Sequence, residues 1–313
     1  IHAHLLPRRL THLDLADNTL LDDHSCHSFP PTLTYLNLAS NNNITNDGLS
    51  LFKKLKELQT LILSSNSKIT ASSFDYLPRS LTHLNLNALK VMADHFVPLL
   101  PSGLKRLELG VGEGITAAAI SKMTNTFGAL EHLDLSQNKF KGDVISLFPR
   151  RLHTLKIGHC KFDDSDPADS FPQGLTCLSI RSSKVSIKFL QRLPSTITDL
   201  DIGKAAISGS DLPKLGSHFP GLQALNLCRV KITDSHIKDI PRKLTRLDLS
   251  ENDKLTDSSI GSLPPDLRWL DLGSKELTGS CAVVVPRKLE HLRLGTPNLN
   301  GQCIVSLPRT LTY

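Results

Sequence analysis

The chain has 313 residues, a formal net charge of +6 and a pI of about 9.0, and aromatic residues make up only 5% of it. The basic residues are spread along the sequence, unlike the dense Lys/Arg clusters of a dedicated nucleic-acid-binding protein. No apolar run reaches the roughly 18 residues that a transmembrane helix needs. We therefore expect no specific nucleic-acid partner and no membrane-spanning segment.

One short pattern recurs through the whole chain. Its cleanest copy, Leu10–Asn18, has the form L-x-x-L-x-L-x-x-N, and successive copies begin 22 to 26 residues apart. The thirteen copies begin at Leu10, Leu33, Leu58, Leu81, Leu104, Leu130, Leu152, Leu175, Ile197, Leu222, Leu244, Leu267 and Leu289. In this signature and period the chain resembles the leucine-rich repeat superfamily.

Each copy predicts one short strand followed by a turn. Leu13 and Leu15 are expected to face a core while His12 and Asp14 face solvent, because apolar and polar residues alternate. A proline near the end of most repeats, such as Pro78, stops the turn, since it disfavours helix in the residue before it. The sequence predicts an α/β solenoid, a leucine-rich repeat horseshoe. Its parallel β-sheet would line the concave face, and short 3₁₀ or α turns the convex face.

Some copies depart from the consensus. Three repeats are longer and have room for two or three helical turns in their convex halves, namely those that begin at Leu33, Leu104 and Ile197. At the ninth position, an Asn amide can both donate to and accept from the backbone of the turn. Leu89, Val230 and Lys275 stand at this position in three other copies, and we expect irregular turns there.

The repeats continue without a linker or a shift in composition. We therefore expect a single leucine-rich repeat domain over residues 1–313, with thirteen complete repeats and a partial repeat at each end. Residues 1–9 are similar to the end of a repeat, and Leu311 begins a fourteenth copy. We expect the sequence to be a fragment of a longer chain.

The cysteine pattern favours a reducing compartment. None of the six cysteines forms a C-x-x-C pair or a cysteine-rich cap, whereas secreted arrays commonly rely on disulfides. We expect a cytoplasmic location. Cys281 and Cys303 occupy the same position in consecutive repeats, so a disulfide between them and an extracellular location both remain open.

Two stretches carry a finer resemblance. The L-P-x-x-L-x-x-L-x-L block at Leu77–Leu86 is similar to repeats of bacterial effector ubiquitin ligases and to FNIP-type repeats. The I-T-D-S-x-I segment at Ile232–Ile237 is similar to repeats of F-box substrate adaptors. Neither an F-box nor a ligase domain is recognisable in the sequence. These resemblances imply an interaction module.

No catalytic or metal-binding motif accompanies the repeats. The sequence contains no H-E-x-x-H or G-x-S-x-G motif, no Walker-type loop and no zinc-like spacing of Cys and His. We expect a non-enzymatic protein without catalytic residues, bound metal or cofactor. The acidic segment 163–169 is expected to be a solvated loop, because it lacks the spacing of a calcium-binding loop.

The outward strand positions form the candidate binding surface. Many of these positions are Asp or Asn. Either solvation with cross-strand pairing or the binding of a partner explains this composition. In the last four repeats, arginines surround the single tryptophan, and Trp and Arg dominate interface hot spots. Trp269 should face outward, since Leu267 and Leu270 take the core positions. The residues expected to contact a partner are Trp269, Arg229, Arg246, Arg268, Arg293, Asp248, Asp271 and His291, with Tyr35 and Arg106 in earlier repeats.

A row of basic residues lies where the chain enters its strands. These residues are Arg8, Arg9, Lys54, Arg79, Arg150, Arg151, Arg242, Lys243, Arg287, Lys288 and Arg309. Stacked repeats would place them along one rim, where they either keep the rim soluble or dock an acidic surface in a salt-dependent way.

The favoured hypothesis is a protein–protein interaction module that binds a partner on a preformed concave sheet, which loses little conformational entropy on binding. Two alternatives stay open. One is an extracellular receptor or adhesion-type array that binds a ligand or glycan. The other is the substrate-recognition part of a larger enzyme, such as a ubiquitin ligase.

Overall fold

The computed structural model describes residues 6–89, 94–112, 114–278, 285–295 and 307–312. The chain divides into two compact units, Ile1–Cys160 and Lys161–Tyr313, and each is described by itself. That residues 1–313 form a single domain stays a prediction.

The first unit contains seven short strands. They are β1 (His12–Asp14), β2 (Tyr35–Asn37), β3 (Thr60–Ile62), β4 (His83–Asn85), β5 (Arg106–Glu108), β6 (His132–Asp134) and β7 (Thr154–Lys156). From β1 to β7, each strand pairs in parallel with its neighbour within the unit. The register aligns the repeats exactly as the sequence pattern does, so that Leu13, Leu36 and Leu61 lie side by side.

The second unit contains six strands in the same arrangement. They are β8 (Cys177–Ser179), β9 (Asp199–Asp201), β10 (Ala224–Asn226), β11 (Arg246–Asp248), β12 (Trp269–Leu272) and β13 (His291–Leu294). From β8 to β13, each strand pairs in parallel with its neighbour within the unit. The last two strands are one residue longer than the others.

Short helical turns connect the strands, as predicted. The 3₁₀ segments are His24–Ser28, Leu51–Lys54, Ala71–Tyr76, Asp94–Leu99, Gly142–Leu147, Ala168–Ser170, Gly209–Asp211 and Asp257–Ser262. The α-helices are α1 (Asn46–Ser50), α2 (Ala117–Thr126), α3 (Ile187–Leu190), α4 (Leu212–His218) and α5 (Asp234–Ile237). The three longer repeats hold α1, α2 and α4, which confirms that their inserts are helical. None of the described helices is long and apolar enough to cross a membrane.

Leucine, isoleucine and phenylalanine fill the space between the sheet and the turns. The leucines of the repeat are almost all inaccessible to solvent. Phenylalanines of successive repeats meet edge to face, as do Phe74 and Phe96, whose ring centroids are 6.3 Å apart. Each repeat therefore buries its apolar side chains mainly against its immediate neighbours, as a solenoid requires.

The ninth-position asparagines join neighbouring repeats. The Nδ2 of buried Asn66 donates to the carbonyl oxygens of Leu38 and Leu63, at 2.9 and 2.8 Å. Asn252 makes the equivalent pair of bonds to Leu227 and Leu249, both at 2.9 Å. In each case one acceptor belongs to the preceding repeat, so the amide satisfies backbone oxygens of two repeats at once.

The prediction of irregular turns is wrong at Leu89 and Val230. The residue before the ninth position has a left-handed φ in eleven successive repeats from Asp17 to Glu251, including the repeats of Leu89 and Val230. The backbone N–H of Leu89 closes the turn on the Leu86 carbonyl at 3.2 Å, so no side-chain amide is needed. The prediction is confirmed at Lys275, since the preceding Ser274 is not left-handed.

Acidic side chains join the turns of neighbouring repeats. Asp234 accepts from the backbone N–H and the hydroxyl of Thr256, at 2.9 and 2.6 Å. Asp164 holds Ser186 in the same way, at 2.9 and 2.6 Å. Thr256 and Ser186 are themselves helical N-caps. The acidic segment 163–169 therefore includes a structural link between repeats.

Candidate functional site

Trp269 lies on the face of the sheet formed by the outward-pointing strand residues, which we call the sheet face. It is half-buried, whereas its neighbours Leu267 and Leu270 are fully buried, as predicted. The register places Arg246 beside it on β11 and His291 beside it on β13. The Arg246 guanidinium lies over the indole ring, 4.6 Å from its centroid. This cation–π contact orients both side chains before any partner binds.

A second row on the sheet face contains Asp248, Asp271 and Arg293. Asp248 accepts from the backbone N–H of Ser250 at 2.9 Å and from the amide of Asn226 at 2.8 Å. The backbone bond recurs at the equivalent carboxylates, which are Asp14, Asp134 and Asp201. Most carboxylates of this row therefore form hydrogen bonds at the ends of strands and with neighbouring side chains. This favours cross-strand pairing, one of the two explanations that the sequence left open, for most of the row.

Asp271 departs from this arrangement. It is only 8% exposed, and its carboxylate accepts no hydrogen bond from the residues that the structure describes. The Nη1 of Arg293 lies 3.7 Å from Asp271 Oδ2, and the Arg293 side chain is 81% exposed. Burial raises the pKa of Asp271, the nearby Asp248 carboxylate raises it further, and Arg293 opposes them.

A depression of about 570 Å³ opens near the ends of β11, β12 and β13. Asp271, Gly273 and Gly295 line it together with Arg229 and Glu251. A Cβ at Gly273 would lie 3.2 Å from the Glu251 backbone nitrogen, and one at Gly295 would lie 3.5 Å from the Gly273 Cα. The two glycines let neighbouring strands end close together and leave room above the Asp271 carboxylate.

The four arginines of the predicted patch do not share one set of contacts. Arg246 stacks on Trp269, whereas Arg229 forms an ion pair with Glu251 and Arg268 forms one with Glu290. Both of these pairs are well exposed, so they contribute little to stability. Among the described residues of the second unit, Arg246 is therefore the arginine of the patch that contacts the indole ring.

Tyr35 and Arg106 lie on the sheet face of the first unit. Tyr35 stacks on His12, with ring centroids 5.9 Å apart. The Nε of Arg106 donates to Glu108 at 2.7 Å. Tyr35 is on β2 and Arg106 on β5, so these two predicted residues belong to separate contacts. That any of the ten residues binds a partner stays a prediction.

The basic rim is partly occupied by bonds to the backbone. Arg79, Arg151 and Arg242 donate to the carbonyl oxygens of Leu99, Gly128 and Ser262, at 3.2, 3.3 and 2.6 Å. Lys54 lies inside a 3₁₀ segment instead of a strand-entry loop and donates to the Cys26 carbonyl at 3.2 Å. Such bonds give the rim cations a structural role, and docking of an acidic surface there stays a prediction.

The described residues contain no group of three or more His, Cys, Asp or Glu that could hold a metal ion. Cys26, Cys160 and Cys228 are buried free thiols. Burial raises the pKa of Cys26 to about 12 and that of Cys160 to about 11, so both stay protonated and unreactive at neutral pH. Cys281 and Cys303 lie outside the described residues.

Sequence reasoning missed the residues that shape the depression. Ser250, Gly273 and Gly295 occupy one position, two residues after the outward Asp or Arg, in three consecutive repeats. A run of small side chains at one repeat position predicts a gap in the surface, and aligning the repeats would have revealed it. Glu251, the partner of Arg229, was also missed because the two residues are 22 apart in the sequence.

Three family models described as leucine-rich repeats match the chain, over residues 31–88, 129–150 and 241–263. The chain is a leucine-rich repeat protein. No curated protein matches this leucine-rich repeat protein significantly in sequence.

Solved structures share the fold of the leucine-rich repeat protein. An internalin (inlF) from Listeria monocytogenes has a TM-score of 0.59 and 21% identity, with 96% of this chain and 85% of that chain covered. A chain of the Rad7–Elc1 complex in yeast has a TM-score of 0.62 and 18% identity, with 95% of this chain and 85% of that chain covered. A chain of the TLR13–ssRNA13 complex has a TM-score of 0.60 and 20% identity, covering 94% and 51%. At these identities the likeness establishes the fold alone.

Proposed function

We propose that this leucine-rich repeat protein is a non-enzymatic protein-binding module whose docking surface is the sheet face of the last repeats. The observation that carries the proposal is the Arg246–Trp269 stack. A half-buried aromatic ring and an exposed guanidinium lie already oriented on paired strands, where they do not serve the core.

The energetics of interfaces favour this position. Trp and Arg are enriched among the few residues that carry most of the binding energy of an interface. Their side chains ordinarily lose rotamer freedom on binding, and a stack formed beforehand reduces that loss. The neighbouring ion pairs Arg229–Glu251 and Arg268–Glu290 are exposed and suit the polar rim of such an interface.

Similar folds in complexes support a macromolecular partner. Rad7 was solved in a complex with Elc1, and TLR13 in a complex with ssRNA13. For the present chain a protein is the better partner, because Arg229 and Arg268 of the patch are paired with its own carboxylates and Arg246 is stacked on Trp269. Such internal pairing leaves little free positive charge for a phosphate backbone.

Affinity capture from an extract of the source cells tests the proposal. The bait is the chain itself, beside a Trp269→Ala/Arg246→Glu double variant. The matched control is Tyr35→Ala/Arg106→Glu, which makes similar changes at the two predicted contact residues of the first unit that the proposal leaves outside the docking surface. A second control, Lys184→Glu, changes charge at an exposed position of the second unit.

We expect a protein that both controls retain and that the Trp269/Arg246 variant loses, with circular dichroism unchanged. Retention by the Trp269/Arg246 variant together with loss in the Tyr35/Arg106 variant would move the docking surface to the first unit. Capture that none of the variants alters would reject the sheet face altogether.

A further inference from the structure

We infer that the depression lined by Asp271, Gly273 and Gly295 is a subsite for a basic side chain of the partner, an arginine or a lysine, and that Asp271 is the carboxylate that receives it. This inference rests on the proposed function, because it names the chemistry that the docking surface recognises.

Among the described residues, Asp271 is the one acid of its row whose carboxylate receives no hydrogen bond from the chain. At the equivalent positions Asp14, Asp134, Asp201 and Asp248, the backbone N–H two residues later donates to the carboxylate at 2.9 to 3.0 Å. At Asp271 the strand continues to Leu272, and that bond is not made. Asp271 keeps only 8% of its surface exposed, and a partner's N–H group that entered the depression would give its carboxylate a charge-assisted hydrogen bond that the chain does not supply.

The space above Asp271 suits a side chain that enters from outside. The depression holds about 570 Å³, and its lining has no side chain at Gly273 and Gly295. Glu251 and Asp253 add two further carboxylates to the walls. A guanidinium or ammonium group that reaches the floor would therefore meet acidic oxygens from two neighbouring repeats.

The cations of the lining do not fill this role themselves. Arg229 is paired with Glu251. Arg293 reaches Asp271 only at 3.7 Å, outside hydrogen-bond distance, and its side chain is 81% exposed. It can swing outward when a partner's cation arrives, and it is then free to bind a carboxylate of the partner.

The single tryptophan provides a built-in reporter, since Trp269 lies two residues from Asp271 on the same strand. The probe is Nα-acetyl-arginine amide, titrated into the full chain while the fluorescence of Trp269 is followed. Nα-acetyl-citrulline amide is the neutral probe of matched shape, and Nα-acetyl-glutamate amide tests the opposite charge. The variants are Asp271→Asn and the matched Asp201→Asn, whose carboxylate is held by Gly203.

We expect saturable binding of the arginine probe with roughly millimolar affinity, as suits so small a ligand. Asp271→Asn should weaken it at least about tenfold, the loss expected for one charge-assisted bond, while Asp201→Asn leaves it unchanged. Equal binding of the citrulline probe, preference for the glutamate probe, or no saturable binding of the arginine probe would each overturn the inference. So would an Asp271→Asn variant that binds the arginine probe normally.

The outcome is separable from that of the capture experiment. If capture of a partner depends on Trp269 and Arg246 but the arginine probe does not bind, the docking surface is supported and only the basic subsite is rejected. If the arginine probe binds at Asp271 but no partner depends on Trp269, the subsite stands and the proposed docking surface falls.

Discussion

At the scale of single residues, buried polar groups decide which positions tolerate change. Asn66 and Asn252 each satisfy carbonyl oxygens of two repeats from an almost fully buried position. An alanine at either position would leave those oxygens buried without their donor. Leaving a buried acceptor unpaired costs about 1–3 kcal/mol.

Asn66→Ala should therefore lower the free energy of unfolding by about 2 kcal/mol. Urea denaturation followed by circular dichroism measures this change. The matched control is Asn18→Ala, at the same position of the first repeat but only half-buried. A loss for Asn66→Ala no larger than that for Asn18→Ala would mean that the amide does not hold the repeats together.

The Asp271 carboxylate, in contrast to Asn66, should lower the free energy of unfolding at neutral pH. Burial and the nearby Asp248 raise its pKa in the folded state, so folding favours its protonated form. Its contribution to stability is fully present below the unfolded-state pKa and is lost as the pH rises through the folded-state pKa.

Asp271→Asn should accordingly raise the melting temperature at pH 7, because it removes a buried charge. The gain should shrink as the pH falls towards about 4, where the wild-type carboxyl is itself protonated. Calorimetry between pH 4 and pH 7 measures both quantities. A variant that is less stable than the wild type at pH 7 would show that the Arg293 pair outweighs the burial of the charge.

At the scale of the elements, the repeats fit closely on the side of the turns. A Cβ on Gly209, the first residue of a 3₁₀ segment, would lie 2.1 Å from the ring of His236 in α5. The His236 ring accepts from the backbone N–H of Thr233 and so completes a capping box. The glycine is needed because the turn of the next repeat occupies the space of a side chain.

Gly209→Ala should destabilise the protein by about 1–3 kcal/mol, the usual cost of overpacking, because the His236 ring must leave its cap. Gly261→Ala is the control, since a Cβ at Gly261, also in a 3₁₀ segment, meets nothing within 4 Å. Chemical denaturation of the two variants checks the prediction. Equal stability of the two would mean that His236 moves aside at no cost.

The sequence predicted the elements well where one physical cause dominates. The alternation of leucine with polar residues predicted every described strand, because burial of Leu36 and its equivalents leaves one register possible. The turns at Leu89 and Val230 were mispredicted, since backbone hydrogen bonds replace the missing amide there. The depression was not predicted because it arises from the missing side chains of Gly273 and Gly295. The environment of Asp271 was not predicted because it depends on β12 extending one residue further, to Leu272.

At the scale of the whole molecule, stability is a sum over neighbouring repeats. Carboxylates contribute to several of these interfaces. Hydrogen bonds from Ser186 lower the pKa of Asp164. Burial acts to raise the pKa of Asp234, but hydrogen bonds from Thr256 and Ser258 outweigh it, so the pKa is lowered.

The chain should therefore lose stability in acid. A carboxyl with a lowered folded-state pKa contributes stability above its unfolded-state pKa, and this is lost as the pH falls through the folded-state value. Urea midpoints should be stable from pH 7 to about 5 and fall below about pH 4. An Asp164→Asn/Asp234→Asn variant should be less stable at pH 7 and show a weaker fall in acid. An unchanged fall would assign acid lability to other groups.

The central claim is that the sheet face around Trp269 carries the binding energy for a protein partner. Its most direct test is the dissociation constant of the captured partner for the wild type, Trp269→Ala and Tyr35→Ala, measured by calorimetry. We expect Trp269→Ala to weaken binding by about 2 kcal/mol, or roughly 30-fold, and Tyr35→Ala to leave it within about threefold. A wild-type dissociation constant for Trp269→Ala would contradict the claim.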